Sequence, residues 1–329
     1  MSNKETYKAL CEAAGDDIPL FLQYWWLDAA CGDKTWDVLL TRKGDAVTAA
    51  MPCLLRKKLG MRYVLQPQLT PYCGPVFFYP QGMRAERKAR FEHAAAKALA
   101  DQLKEMRLDY FQQNFAPSVT DWLPFFWAGY RQTTRYTYVI PDIGDPDKAF
   151  AAFDPDMRQK KILRLLPRVS LTEGTTPEQL AAWHEHYWRS KGQRDVLPQR
   201  LMARVAHAAI ARGNGAILTL SDDDGTPLVS RFVAYDSRCA HSMFSAQNPN
   251  RRVPNAADAL VWLTLLRMSG LTRAYDFEGG MQQSIEHYYR SFGATQVPYH
   301  ALEKCNNPLF RLALKLKGRQ RPAPRGETP

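Results

Sequence analysis

The sequence predicts an α/β chain, with mixed α+β sheets, made of two similar halves in tandem. Short β-type runs alternate with longer helical patterns from end to end. With 329 residues, 45% of them apolar, the chain can bury one large core or two medium ones. The order hairpin, strand, loop, helix, strand, helix, strand occurs twice, at a period of about 165 to 180 residues. That period means duplication of a whole domain and not a solenoid. Pro141–Pro146 (PDIGDP) is the best internal boundary, turn chemistry that follows a strand and leads into new helices. The expected division is residues 1–143, residues 144–308 and a basic tail at 309–329.

Taken in order, Ile18–Cys31 (IPLFLQYWWLDAAC) predicts an aromatic-rich helix closed by Gly32. Trp36–Thr41 and Ala46–Arg56 predict a hairpin turning at Lys43-Gly44-Asp45, and Arg62–Gln66 a third strand. Pro67–Pro75 (PQLTPYCGP) is too rich in proline and glycine for regular structure and reads as a pocket-lining loop. Arg84–Glu105 predicts a long helix, Leu108–Phe111 a strand, Thr120–Ala128 a short helix and Thr134–Ile140 a strand. In the second half, helices are expected at Asp147–Phe153, Asp156–Leu166, Pro177–Lys191, Pro198–Arg212 and Asn255–Met268. Strands are expected at Ala216–Leu220, Leu228–Tyr235, Cys239–Ala246 and Val297–Leu302.

Composition narrows the setting. The polar N-terminus, MSNKETYKALCEAAGDD, has no apolar signal core, and no run of roughly 18 apolar residues predicts a membrane span. Six cysteines (Cys11, Cys31, Cys53, Cys73, Cys239, Cys305) stand far apart with no CxxC pair. That fits reduced thiols in a cytoplasmic protein better than disulfides or a zinc site. His184 and His186 (WHEHYW) are spaced i, i+2 and do not share a helix face, so no metal is expected there. The net charge is +11, with five cations in Met157–Arg168 (Arg158, Lys160, Lys161, Arg164, Arg168) and six more between Arg311 and Arg325. Such patches suit a polyanion or are solvated basic faces. Pro308–Lys317 (PLFRLALKLK) can form a short amphipathic helix, docked on the body or in peripheral contact with an anionic membrane.

The most informative stretch is Leu271–Ala294, LTRAYDFEGGMQQSIEHYYRSFGA. A short strand, Ala274–Phe277, runs into Glu278 and the pair Gly279–Gly280, then a helix over Gln282–Ser291. A strand ending in a charge and paired glycines opens a gap at its carboxyl end, where ligands sit in open α/β sheets. Its counterpart in the first half, Arg107–Asn114 (RLDYFQQN), has Gln112 and Gln113 where the second half has Glu278 and Gly279. Any chemistry at this gap is therefore expected in the second half, the first keeping the shape without the acid.

Ser245–Trp262 (SAQNPNRRVPNAADALVW), Tyr275–Tyr299 and the opening helix Pro19–Ala30, in this twofold order, resemble the tandem GNAT acyltransferases of the FemAB-like and BioF2-like group. The resemblance implies two GNAT-like units and an N-acyltransferase. It would use acyl-CoA (acetyl-CoA) as co-substrate with no tightly bound cofactor and no metal. The acceptor would be an amine of an amino sugar, an amino acid or a cell-envelope precursor. The group's phosphate-binding signature, Arg/Gln-x-x-Gly-x-Gly/Ala, is absent before Asn255, where the chain reads NRRVPN. The basic Arg158–Arg168 segment supports a second reading with the same fold, an aminoacyl-tRNA-dependent ligase of the peptidoglycan-bridge type with tRNA as partner. A third reading is a non-catalytic binding protein.

Acyl transfer to an amine needs a proton acceptor for the amine and a proton donor for the departing group. Glu278 is the candidate base, with Asp276 two residues earlier on the same strand face. Tyr288 or Tyr289 is the candidate acid; neighbours on a helix point about 100° apart, so at most one faces the cleft. Asn255 as helix cap, with Arg251 and Arg252 before it, suits either a pyrophosphate or a solvent-capped helix with surface arginines. Ser245, Gln247 and Asn248 follow the strand where this fold splays to admit its donor. Glu286 and Arg290, at i, i+4, are expected to form a supporting ion pair. No Ser-His or Cys-His pair is evident, which implies direct attack in a ternary complex.

Overall fold

The computed structural model describes residues 2–193 and 197–312. The expected basic tail and the end of the amphipathic Pro308–Lys317 stretch lie outside the described residues from position 313 on.

In the first half the elements are α1 (Asn3–Ala14), α2 (Tyr24–Cys31), β1 (Trp36–Lys43), β2 (Ala46–Lys58), β3 (Met61–Leu65), β4 (Val76–Phe77), α3 (Ala85–Glu105), β5 (Tyr110–Asn114), α4 (Leu123–Trp127) and β6 (Arg131–Ile140). In the second they are α5 (Pro146–Ala151), α6 (Leu163–Leu165), β7 (Val169–Thr172), α7 (Pro177–Ser190), α8 (Gln199–Ala211), β8 (Gly215–Asp222), β9 (Pro227–Tyr235) and β10 (Cys239–Gln247). It closes with α9 (Ala256–Met268), β11 (Ala274–Asp276), α10 (Gln283–Arg290) and β12 (Thr295–Cys305).

All strands join one mixed sheet in the order β1-β2-β3-β5-β12-β6-β11-β10-β9-β8-β7, with β4 beside β2. Apart from β7, which has no counterpart, the order is symmetric about the β12–β6 pair. In each half a meander is followed by one parallel neighbour, β3 with β5 and β10 with β11. The two halves then exchange last strands: β12 pairs with β5, and β6 pairs with β11. The exchanged strands pair with each other along Arg131–Val139 and Thr295–Glu303. The sheet thus runs unbroken across the boundary expected at 143/144.

Three apolar clusters cover it. One, containing Phe21, Trp26, Leu180, Met202 and Phe232, is built by both halves. A second packs α5, α9 and α10 on the second half (Phe153, Leu260, Trp262, Tyr275, Phe292), and a third packs α3 and α4 on the first (Leu99, Phe111, Phe125).

The helix expected over Ile18–Cys31 divides. Leu20–Leu22 is a single 3₁₀ turn, Gln23 is extended at ψ 136°, and α2 starts at Tyr24. The Gln23 amide ties the break by donating to the Gly15 and Ile18 carbonyls at 2.7 and 3.0 Å. The break frees Phe21 to face the other half. The helix expected over Asp156–Leu166 also departs from α geometry: Met157–Ile162 is a π-turn, followed by α6 and a 3₁₀ turn, Leu166–Arg168. A π-turn spreads its side chains beyond ordinary helical spacing, which hides it from a 3.6-residue pattern. Neither α1 nor β7 was expected from the sequence; α1 buries only Tyr7 and Cys11 and is fixed by a capping box between Ser2 and Glu5.

Candidate active site

β11 ends at Asp276, one strand from the molecular twofold. Its parallel register with β10 sets His241 beside Asp276. The chain then leaves the sheet through three consecutive residues with positive φ: Glu278 (58°), Gly279 (91°) and Gly280 (135°). Glycine meets this requirement without strain, whereas Glu278 in the left-handed region is an uncommon conformation. Gly280 has a second constraint, because a Cβ there would lie 2.5 Å from the Tyr138 ring. The Glu278 turn is held by its own N–H donating to Asp276 Oδ1 at 2.8 Å and by the Gly279 N–H donating to Thr137 Oγ1 at 3.3 Å.

This turn swings the Glu278 carboxylate back onto His241, whose Nδ1 lies 2.6 Å from Glu278 Oε1 and 3.9 Å from Asp276 Oδ2. Only 10%, 11% and 5% of the His241, Glu278 and Asp276 side chains are exposed. Asp276 also accepts from Thr137 Oγ1 and, at 3.3 Å, from the Tyr72 hydroxyl. Two carboxylates do meet here, as the alternation rule anticipated, although β11 has ended and a left-handed turn brings the second one in.

The first half supplies the roof. Tyr72 comes from the proline-rich loop, held by the Cys73 N–H donating to the Asn114 carbonyl at 2.7 Å and by Trp26 Nε1 donating to Thr70 Oγ1 at 3.2 Å. Phe21 sets its ring 4.7 Å from His241 edge-on, and Tyr299 of β12 stands 5.0 Å from Tyr72. A cavity of about 180 Å³ elsewhere, lined by Glu12, Tyr24, Trp25 and Arg212, includes none of the acid–base residues.

Burial and neighbouring charge set the proton affinities. Burial, with the Asp276 charge added, lifts Glu278 to about 7, while His241 pulls it back. Burial raises Asp276 as well, against the His241 charge and the Thr137 hydroxyl. Burial alone would lower His241, but the adjoining Cys239 sulfur and the Glu278 carboxylate overcome it and hold the imidazolium well above its ordinary value. Burial pushes the Cys239 thiol up, so it is uncharged near neutral pH and the carboxylates supply the attraction. The three groups titrate as one set sharing protons. Their ligand atoms lie within 4.8 Å of one another, a geometry that a divalent cation could also use.

The two candidate tyrosines part company. Tyr288 donates to Asp258 Oδ1 at 2.8 Å, away from the carboxylates. Tyr289 stacks on Phe277, ring centroids 4.6 Å apart. Burial takes its hydroxyl up to about 12, with Arg231 opposing and Glu278 adding, so Tyr289 is the one within electrostatic reach of the site. Glu286 and Arg290 do pair, and Glu286 also accepts from the Tyr138 hydroxyl at 3.0 Å.

The expected donor residues scatter. Ser245 and Gln247 lie on the stretch of β10 beyond the last β11 pairing, at an open edge. Asn248 builds a turn, its amide donating to the Pro227 carbonyl at 2.7 Å and its Oδ1 accepting from the Asn250 N–H at 2.9 Å. Arg251 pairs with Asp222 at 3.0 Å, and Arg252 is exposed. Asn255 does not cap α9 as expected: it sits at φ 62° and its side chain makes no cap bond. The first turn of α9 carries its own buried carboxylate, Asp258, which already occupies the positive end of the helix dipole. His184 accepts from Trp188 Nε1 at 3.0 Å.

Sequence reasoning missed His241, Tyr72, Thr137 and Tyr299. A lone histidine inside the apolar run CAHSMFSA was the one available signal.

Residues 156–289 match the family of acetyltransferase (GNAT) domains. No curated protein sequence matches the chain. Among solved structures, FemX superposes with a TM-score of 0.67 at 11% identity, over 94% of this chain and 98% of that one. A domain from Agrobacterium fabrum, described as the C-terminal part of a lysylphosphatidylglycerol synthetase, gives 0.58 at 10% identity over 95% and 96%. L-PGS from Bacillus licheniformis gives 0.54 at 12% identity over 96% of both chains. At these identities the likeness is one of fold, and it extends over the whole two-half arrangement. The chain thus shares its two-half fold with FemX, and its match to acetyltransferase (GNAT) domains falls on residues 156–289, in the second half.

Proposed function

We propose that the chain transfers an acyl group from coenzyme A to an amine by direct attack, with the His241–Glu278 pair as proton acceptor. The observation that carries this reading is the 2.6 Å contact between two buried titratable groups beside the open end of β10–β11. A base is most effective when its proton affinity lies near the working pH, and burial brings Glu278 to about 7. In this reading the amine lies under Tyr72 and Tyr299 and gives its proton to Glu278. His241 holds the carboxylate in place and stabilises its charge. Asp276, fixed by Thr137 and Tyr72, orients His241 and the Glu278 turn. The attacking nitrogen forms the new C–N bond, the thioester C–S bond breaks, and Tyr289 returns a proton to the leaving sulfur. Acyl-CoA then serves as co-substrate, and the acceptor is an amine of an amino sugar, amino acid or cell-envelope precursor.

The asymmetry between the halves supports a single catalytic centre. β5 does not break where β11 does: Gln112 and Gln113 stay in the sheet opposite Glu303 and Leu302 of β12. The first half has no gap of this kind, and its loop contributes Tyr72 to the second. Coenzyme A release from acetyl-CoA, followed over a panel of amino sugars, amino acids and amine-bearing envelope precursors, tests the reading; no turnover with any amine, at a protein concentration that shows acetyl-CoA binding, refutes it.

The π-turn segment favours the aminoacyl-tRNA reading as the second. Lys160 pairs with Asp156, while Arg164 and Arg168 face solvent from the same segment. Transfer from aminoacyl-tRNA, with none from acyl-CoA, would establish it.

A further inference from the structure

Arg231 is the outlying charge of the second half. It lies in the middle of β9, 5% exposed, on the face that packs under α9. Val229 and Val233, its neighbours at i±2 on that face, belong to the apolar cluster there. Its Nη1 donates to the Tyr275 hydroxyl at 2.7 Å, and its buried Nε has no partner. Among the described residues no carboxylate forms an ion pair with it. A guanidinium carries its charge at any ordinary pH, and burial without an anion is costly.

Its position gives this isolation a use. Arg231 stands directly opposite Ser245 in the β9–β10 ladder, and directly opposed residues share a face. Ser245 is exposed, because β11 has already left the sheet and β10 is unpaired on that side. The bulge between Ser242 and Phe244 restores this register, turning Ser245 to the Arg231 side while Phe244 turns to the opposite one. Tyr275, next to Asp276 in the chain, reaches across β10 to the guanidinium. The acid–base cluster and Arg231 thus lie on opposite faces of the sheet, and the gap beyond β11 connects them.

We propose that Arg231, with the Tyr275 hydroxyl and Ser245, forms a buried seat for a compact oxyanion carried by the acyl donor. Its role rests on the transfer reading above. The guanidinium offers a fork of N–H donors matched to a carboxylate or phosphate. The seat accounts for donor binding in a chain without phosphate-loop glycines, whose α9 terminus is filled by Asp258. The anion is either a carboxylate on the acyl group itself or a phosphate of the carrier.

Arg231→Met and Arg231→Lys test it, with succinate and inorganic phosphate as simple probes in thermal shift, and acetyl-CoA, succinyl-CoA and the corresponding pantetheine thioesters in calorimetry. An anion seat requires wild type to be stabilised by at least one simple anion. It also requires Arg231→Met to melt at the wild-type temperature or above without ligand and to lose the anion response, and Arg231→Lys to keep part of it. Succinyl-CoA bound about 10- to 100-fold more tightly than acetyl-CoA only when Arg231 is present identifies the acyl carboxylate. Equal weakening of both coenzyme A esters, with pantetheine thioesters unaffected, identifies the carrier phosphate. A destabilised Arg231→Met that keeps its anion response, or a wild type without one, overturns the seat. If simple anions respond through Arg231 but no coenzyme A ester binds, the seat stands and the coenzyme A reading falls. If the esters bind equally to wild type and Arg231→Met, the reverse holds.

Discussion

Replacing Glu278 by Gln keeps the shape of the turn and removes its titration. Loss of a positioned base typically costs 10²- to 10⁴-fold in rate, about 3 to 5 kcal/mol of barrier. Wild-type kcat/KM for amine acylation should therefore rise with pH along a limb near 7, where burial places Glu278. In Glu278→Gln that limb should vanish together with the rate. Stability provides an independent readout. The free carboxylate titrates at 4.5 and the native one at about 7, so the folded state binds this proton more tightly. The stabilisation is complete below 4.5 and is lost as pH rises to about 7. At about 1.36 kcal/mol per unit, the loss is on the order of 3 kcal/mol, and His241, whose proton affinity is also raised on folding, adds to the fall above its free value of 6.5. Chemical denaturation of wild type between pH 4.5 and 7.5 should show this fall, and Glu278→Gln should show a flatter curve. A variant that keeps more than a tenth of kcat/KM with the same pH limb would refute the assignment of Glu278 as base.

The other predictions concern parts of the same site. Tyr72→Phe removes the hydroxyl that donates to Asp276, and should cost about 1 kcal/mol in stability and lower kcat more than it raises KM; an unchanged kcat would remove Tyr72 from the mechanism. Gly280→Ala combines a φ of 135° with a Cβ 2.5 Å from the Tyr138 ring, so unfolding should show a loss of at least about 2 kcal/mol. Arg251→Ala breaks only a half-exposed pair with Asp222, and should change stability by less than about 1 kcal/mol and acetyl-CoA affinity by less than threefold; a loss of tenfold or more would put a phosphate at Arg251. A shared proton, and not a metal, is expected to hold the three acid–base residues together. Dialysis against EDTA should leave the rate unchanged and added zinc should inhibit reversibly, whereas activation by metal would contradict this.

The parts of the fold legible in the sequence were those specified by local pattern. The β1–β2 and β8–β9 hairpins, α3, α9 and the duplicated order follow from periodicity and turn residues within a few positions. The Glu-Gly-Gly segment was legible through its paired glycines, since the positive φ angles at Gly279 and Gly280 leave few other choices of residue, whereas the left-handed Glu278 was not foreseeable. The strand exchange was not, since the partners of β12 are more than 150 residues away and no local pattern encodes that pairing. His241 was missed for a related reason. Its neighbours Asp276, Glu278 and Phe21 come from distant segments, so it has no spacing signature. Asn255 misled because its residue type favours a cap while its left-handed backbone turns the side chain away. The same kind of context sorted the two tyrosines: only packing distinguishes Tyr288, bound to Asp258, from Tyr289, stacked on Phe277.

The exchanged strands have a consequence for how this molecule comes into being. The first half, whose last strand in sequence ends at residue 140, has its β5 edge open until β12 is made, more than 150 residues later. An uncovered edge of that kind is a template for pairing with other chains, and contacts of such sequence separation form late and slowly. The nascent protein therefore passes through an interval in which its first half exists but cannot close, and closure comes only when the half carrying Glu278 is also in place. An ancestral pair of separate copies that traded strands in this way would afterwards be inseparable by gene fission, because each half would lack the strand that seals it.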